Sequence, residues 1–306
     1  MGAAPTPMQP LSQIRELLGS RGLSPRHALG QNFLIDHNLI KKLVDAAHIA
    51  PGDLVLEVGP GTGALTEELL ARGAHVVAAE LDPGLANLLR DHFKDLAAAS
   101  CNPQSAIPNP QFTLIEGDAL ETRRSLAPQV THALSNRPFK LIANLPYAAA
   151  TPIISTLLLD HPLCQGLYIT IQKEVADRIL ARPSNKDYGP LSIIAQLTST
   201  AKLIATLPLE CFWPRPKVTS AMIALERGAT GPSSGRALPQ SDLHPFADFV
   251  QTLFQFRRKQ LGAILGRKIP FPHSIDPAAR AESLTIDQLI ALYKGMPRTS
   301  PGETLR

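Results

Sequence analysis

The chain has 306 residues, of which 44% are hydrophobic and 18% charged, with a formal net charge of +4 at pH 7. Mean hydropathy is +0.01. These values exclude a fibre or a wholly disordered chain and fit a large α/β domain with a smaller appendage. The mild positive charge permits a polyanionic partner without demanding one. Cys101, Cys164 and Cys211 are far apart and form no C-x-x-C pair, so neither a disulfide framework nor a zinc site is indicated, and no metal is expected.

The first residues carry neither the basic nor the apolar segment of a signal peptide, and no apolar run is long enough to span a bilayer. A reducing cytoplasmic location away from membranes is therefore expected. Met1-Gly2-Ala3-Ala4-Pro5-Thr6 fits a loose lipidation pattern but has no polybasic neighbour, and a frayed Pro/Ala-rich tail is the simpler reading. Leu11, Ile14, Leu17 and Leu18 are at helical spacing, as are Leu39, Ile40, Leu43 and Val44. Pro51-Gly52 closes the second helix before Leu54-Val55-Leu56-Glu57-Val58, which reads as a buried strand.

From there, strands and helices alternate, as in a parallel sheet wrapped by helices. Strands are predicted at Val76–Glu80, Phe112–Ile115, Lys140–Ala143, Leu167–Ile171, Leu203–Leu207 and Met222–Leu225. Helices are predicted at Leu65–Arg72, Lys173–Ala181 and Leu191–Thr198. Ala97–Gln111 reads as a surface loop and Gly228–Gln240 as a linker. Beyond it, Phe246, Phe249, Val250, Leu253 and Phe254, then Leu261, Ile264 and Leu265, then Ile286, Leu289, Ile290 and Leu292 describe three short amphipathic helices. Residues 241–306 hold nine Lys/Arg against six Asp/Glu. Arg257, Arg258, Lys259, Arg267 and Lys268 form an acid-free run within them. Such a run is read either as a solvated helix face or as a polyanion contact.

Glu57-Val58-Gly59-Pro60-Gly61-Thr62-Gly63 falls between a strand and a helix. Glycines there allow a sharp turn and a close approach to a nucleotide-sized ligand. The spacing is G-x-G-x-G rather than the dinucleotide G-x-G-x-x-G. With Glu57 leading, it resembles the first motif of Rossmann-like methyltransferases. Glu80 ends the next strand, where a carboxylate accepts from ribose hydroxyls, and Asp118 follows the strand after that. Singly, each acid reads equally well as a helix cap or a solvated loop residue. In this order they point to a methyl-donor site. Asp118 resembles the methyltransferase residue that accepts from the cofactor's adenine amine.

The fourth strand ends in Asn144-Leu145-Pro146-Tyr147, similar to the N/D-P-P-Y/F element of enzymes that methylate exocyclic amines of nucleobases. Leu29-Gly30-Gln31-Asn32-Phe33-Leu34, Gln172-Lys173-Glu174-Val175 and Phe212-Trp213-Pro214-Arg215-Pro216-Lys217-Val218-Thr219-Ser220-Ala221 narrow the resemblance to the small-subunit (16S) ribosomal RNA adenine N6,N6-dimethyltransferases. It runs from about Ile14 to Leu292. The resemblance implies S-adenosyl-L-methionine as cofactor and dimethylation of two adjacent adenines in a hairpin loop near the 3′ end of 16S rRNA, within a pre-30S particle, by a monomer. It also implies that Gly59, Gly61, Glu80, Asp118, Asn32, Leu34 and Asn144 bind the cofactor, with Asn32 and Leu34 at its methionine end. The Asn144 oxygen and the Leu145 carbonyl would accept from the adenine amine beside Pro146. Tyr147 and Phe212 would sandwich the flipped base. This chemistry requires neither a metal nor a general base.

Gln255 to Leu261 resembles the family's basic C-terminal helix, so Arg257, Arg258 and Lys259 are expected at the RNA backbone. The Arg280 to Leu284 segment resembles the approach to the family's last helix. Ala148-Ala149-Ala150 departs from the family, which commonly carries polar or β-branched residues there, and the Ala97–Gln111 loop is longer than usual. The expected organisation is a tail and short helix at 1–26, a Rossmann-like S-adenosylmethionine-binding catalytic domain at 27–227, a linker at 228–242 and a helical RNA-binding domain at 243–306. Three alternatives stay open: a large-subunit rRNA adenine N6-methyltransferase, an assembly factor with little turnover, and, more distantly, a dinucleotide-dependent dehydrogenase.

Overall fold

The structure, a computed structural model, describes residues 11–94, 111–227, 238–266 and 270–296. The terminal tail, nearly all of the Ala97–Gln111 loop, most of the Gly228–Gln240 linker, Cys101, Arg267 and Lys268 lie outside the described residues.

Eleven strands are seen among the described residues: β1 Phe33–Leu34, β2 Leu54–Val58, β3 His75–Glu80, β4 Phe112–Glu116, β5 Leu120–Thr122, β6 Ser125–Leu126, β7 Phe139–Asn144, β8 Cys164–Gln172, β9 Thr200–Leu207, β10 Phe212–Trp213 and β11 Ser220–Glu226. Seven form one sheet in the order β4-β3-β2-β7-β8-β11-β9. The first five are mutually parallel, and β11 runs antiparallel to both β8 and β9. The predicted α/β class and all seven main-sheet strands are present. The two-residue β1 and β10 pair with each other, and β5 pairs with β6. These short pairings escaped prediction because two or three residues carry no readable period.

Parallel strands covered on both faces read as continuous apolar runs. Leu54 to Val58 is buried throughout. Leu56, Leu141 and Leu167, on adjacent strands, are each 0% exposed, a burial contributing about 1.5–3 kcal/mol per side chain. One face packs against the helices Pro128–Leu134, Tyr147–Asp160, Lys173–Leu180 and Pro190–Thr198. The C-terminal helices Gln240–Gln255, Leu261–Leu265 and Ile286–Gly295 join the same core through Phe246, Val250, Leu253, Leu261, Leu289 and Leu292. The opposite face holds Leu11–Gly19, His37–Ala46, Ala64–Ala71 and Pro83–His92, so the leading helix docks through Ile14 and Leu18.

Helix starts follow their caps. Asp36 accepts from the amides of Asn38 and Leu39. Asp82 accepts from those of Gly84 and Leu85, with Pro83 in the first turn. One expectation is corrected: Arg257, Arg258 and Lys259 do not lie on a helix. The helix ends at Gln255 and the three residues form the turn beyond it. Phe256 closes the helix with non-helical backbone, and the Lys259 amide donates to the Phe256 carbonyl at 2.7 Å.

Candidate active site

Strands on opposite sides of β2 continue in opposite directions through the sheet: β3 and β4 to one side, β7 and β8 to the other. Crevices form at such a reversal, outside the carboxyl ends of the strands. The glycine turn after β2 and the Asn144-Leu145-Pro146-Tyr147 segment after β7 therefore emerge side by side. They border a cleft of about 530 Å³ that also includes Asn32, Glu80 and Asp118, a size typical of small-molecule sites. A larger cavity of about 780 Å³ near the starts of β7 and β8 includes none of the predicted site residues.

Gly59 and Gly61 take left-handed backbone, with φ of 70° and 62°. A Cβ on Gly61 would come within 2.9 Å of the Phe33 ring, and one on Gly59 within 3.3 Å of Pro146. The turn is thus pressed between β1 and the segment that follows β7, which leaves room only for glycine.

Glu80 is 5% exposed. Its Oε2 accepts from the Gly61 amide at 3.1 Å and its Oε1 from the Asp82 amide at 2.9 Å. Burial raises its pKa despite these bonds. Each oxygen keeps a lone pair for a further donor. Glu57, under the turn, accepts from Thr66 Oγ1 at 2.7 Å, and burial pushes its carboxyl up to about 8. The group is therefore mostly protonated at neutral pH. Sequence reading used Glu57 only as the head of a motif, although a Glu inside an otherwise apolar strand signals a buried carboxyl. Asp118 is exposed at the rim, where its Oδ1 accepts from the Leu120 amide at 2.9 Å. Arg123 also borders the cleft and was not singled out from sequence.

On the facing side, Asn144 Nδ2 donates to the Asn32 carbonyl at 2.8 Å. With the amide nitrogen committed, the side-chain oxygen is the group left for an incoming donor. The Leu145 amide donates to the Thr170 carbonyl at 3.1 Å, fixing the strand end to β8. Pro146 caps the helix that Tyr147 begins. The Tyr147 hydroxyl bonds Ser220 Oγ at 2.8 Å, and burial raises its pKa. Ser220, 0% exposed at the start of β11, was quoted within a motif but given no role. Ala148 and Ala149 border the cleft and Ala150 is buried, so the departure from the family's polar residues puts small side chains at this edge.

Two predicted site residues lie elsewhere. Leu34 does not border the main cleft; its strand partner is Phe212, and it borders a small neighbouring cavity with Glu57, Thr62 and Asn144. Asn32 and Phe33 form the cleft wall at that point instead. Phe212 is 2% exposed and belongs to the core, so it presents no open ring face here. Side-chain alternation along β10 turns Phe212 inward and leaves Trp213 half-buried, with the Arg15 guanidinium 5.6 Å from the Trp213 ring centroid. Arg257 is also committed: Nε pairs with Glu282, and a terminal nitrogen donates to the Asn185 carbonyl at 3.1 Å. Arg258 and Lys259 are exposed, Lys259 over the Phe256 ring.

A parallel sheet of this order, extended by an antiparallel strand and carrying a glycine turn, a buried acid and an Asn-Leu-Pro-Tyr end at its carboxyl edge, has the architecture of a Rossmann-like methyltransferase. A family model for ribosomal RNA adenine dimethylase matches residues 22–296. The chain is 37% identical over 290 residues to the ribosomal RNA small subunit methyltransferase A of Phenylobacterium zucineum, covering 93% of each protein. It is 38% identical over 290 residues to the protein of that name from Clostridium perfringens, covering 92% of this chain and 93% of the relative. Among solved structures, a dimethyladenosine transferase from Plasmodium falciparum shares the fold at a TM-score of 0.65 and 22% identity, over 85% of this chain and 95% of that one. The 23S rRNA methyltransferase ErmE does so at 0.58 and 23%, over 86% and 99%. The chain belongs to the ribosomal RNA adenine dimethylase family.

Proposed function

We propose that this enzyme uses S-adenosyl-L-methionine to dimethylate the N6 amines of two adjacent adenines in a hairpin loop near the 3′ end of 16S rRNA, acting as a monomer on a pre-30S particle. The observation that carries the reading is the Asn144–Asn32 bond, which commits the amide nitrogen and leaves the oxygen as the acceptor of a residue bordering the same cleft as the glycine turn and Glu80. The relatives named as small-subunit methyltransferases support the choice of RNA.

The residues present fit the cofactor. Glu80 accepts from its ribose hydroxyls through the lone pairs left by the Gly61 and Asp82 amides, Asp118 accepts from its adenine amine, and Asn32 with Phe33 forms the wall at its methionine end. When bound, it supplies a methyl group activated by a sulfonium. Adenine N6 is a weak nucleophile because its lone pair is delocalised into the ring. The Asn144 side-chain oxygen and the Leu145 carbonyl accept its two hydrogens and favour a pyramidal nitrogen. Tyr147 stacks on a base drawn out of its neighbours. Residues 243–306 form the RNA-binding part, with Arg258 and Lys259 at phosphates and Arg257 holding their turn.

The deciding experiment incubates the protein and labelled S-adenosylmethionine with undermethylated small subunits, with naked 16S rRNA and with naked 23S rRNA, then measures N6,N6-dimethyladenosine by mass spectrometry. Dimethylation of two adjacent residues supports the reading. Label in 23S rRNA alone would point to the large-subunit alternative, and subunit binding without methyl transfer to an assembly factor.

A further inference from the structure

Residues 26–33 run along one edge of the cleft. Leu29, Gly30, Gln31, Asn32 and Phe33 border it, as do Glu80 and Leu85. This strap is tied at both ends. At the target end, the Asn32 carbonyl accepts from Asn144. At the other end the tie is Asp82, 3% exposed, whose two carboxylate oxygens face different ways. Oδ1 caps the helix Pro83–His92, accepting from the Gly84 amide at 2.8 Å. Oδ2 accepts from Gln31 Nε2 at 3.1 Å and lies 3.3 Å from Arg26 Nε. Gln31 Oε1 in turn accepts from the Arg26 amide at 2.7 Å, closing a ring of contacts. The Asp82 amide donates to Glu80 Oε1, the carboxylate read as the ribose acceptor.

We infer that Asp82 is a positioning residue: its Oδ2 latches the strap shut through Arg26 and Gln31, while its amide holds Glu80 in its cofactor-binding orientation. The inference rests on the methyl-donor reading of the cleft. A single short segment, Glu80-Leu81-Asp82, then joins closure of the cleft to recognition of its ligand. A carboxylate is required at Oδ2 because both groups facing it donate, and Gln31 Oε1 is already engaged. An amide nitrogen in that position meets the Arg26 and Gln31 donors without an acceptor, while the remaining oxygen still caps the helix.

Asp82→Asn separates the two roles. S-adenosylhomocysteine is used as the probe, its affinity read by calorimetry, its release by stopped flow, and backbone motion by hydrogen exchange. The variant should still unfold cooperatively, with a modest fall in Tm from the lost Arg26 and Gln31 contacts, lose affinity about tenfold through faster release, and exchange faster at residues 26–33. The KM for the methyl donor should rise with a smaller change in kcat. Arg26→Ala and Gln31→Ala leave the helix cap untouched; each should show the same direction, and each should add less than its own effect to Asp82→Asn. Wild-type affinity and exchange in these variants, or fully additive losses, would overturn the latch. A wild-type chain that binds neither the methyl donor nor the probe would overturn the cofactor reading, and this inference with it.

Discussion

The side chain of Asn144 donates from Nδ2 to the Asn32 main-chain carbonyl at 2.8 Å, joining the end of β7 to the strap along the cleft. This bond commits the amide nitrogen and leaves the side-chain oxygen as the atom available to an incoming donor. Asn144→Ala should lower kcat by about 10²–10³, the scale of losing one preorganised polar contact. Cofactor affinity should fall by only about 1 kcal/mol, from the loosened strap. Asn144→Asp should also be impaired, because a carboxylate sets two acceptors against each other at Asn32. Single-turnover methyl transfer alongside cofactor calorimetry checks both, and wild-type turnover in Asn144→Ala would exclude the proposed role.

The Tyr147–Ser220 bond fixes the plane of the ring proposed to hold the base. Tyr147→Phe and Ser220→Ala should each lower kcat/KM by about three- to tenfold, and the double variant should be no worse than the poorer single, since all three remove the same bond. Tyr147→Ala, which removes the ring, should cost about 1–3 kcal/mol of base stacking. Additive losses in the double variant would assign Ser220 a separate function.

Glu57 gives the fold a pH dependence of defined sign. Its carboxyl is raised to about 8 by burial, so the folded state keeps a proton that the unfolded chain releases near 4.5. The resulting stability is complete below the unfolded value and is lost as pH rises through the folded one, at roughly 1 kcal/mol per pH unit within that window. Glu57→Gln still accepts from Thr66 and has no charge to bury. Relative to wild type it should gain stability steadily from pH 5 to pH 8 in urea unfolding. A pH-independent difference would remove Glu57 from the account.

The basic turn divides into two kinds of residue. Arg258→Ala and Lys259→Ala should each reduce the salt slope of RNA binding by roughly 0.7–0.9 while leaving Tm unchanged. Arg257→Ala should do the reverse: it loses the Glu282 pair and the Asn185 carbonyl contact, destabilising the fold by about 1 kcal/mol with little change in slope. Filter binding across a salt series and thermal melts separate the two patterns.

The main sheet was legible in the sequence because largely apolar runs such as Leu54–Val58 and Leu167–Ile171 alternate with helical spacing. The cleft was legible because Glu80 and Asn144 end strands and Gly59, Gly61 and Asp118 follow them, so chain order projects onto one edge of the sheet. Ser220, Asp82 and Gln31 were in view but had no role, because their partners are distant in sequence and a hydrogen bond between distant residues leaves no period. Phe212 was read as an open ring because its motif carries no record of burial. The inward turn of β10 depends on pairing with β1, and a two-residue strand is invisible to pattern. Arg257 was read as an RNA contact because charge is visible in sequence and its Glu282 partner is not.

The antiparallel insertion of β11 bears on how the enzyme matures during synthesis. Every residue bordering the cleft lies between Ala28 and Pro152, so all of them are translated in the first half of the chain. The partner that secures the Tyr147 hydroxyl and the strand that pairs with β1 come much later, at Ser220 and at Phe212–Trp213. A nascent chain stopped before Thr200 would carry every residue bordering the cleft but lack the partners of Tyr147 and of β1. Assembled N-terminus first, the polypeptide completes the lining of the cleft before the Tyr147 ring is secured. A chain ending before Thr200 is expected to transfer methyl groups to RNA more slowly than the full chain, because Tyr147 has lost the Ser220 hydroxyl that orients it.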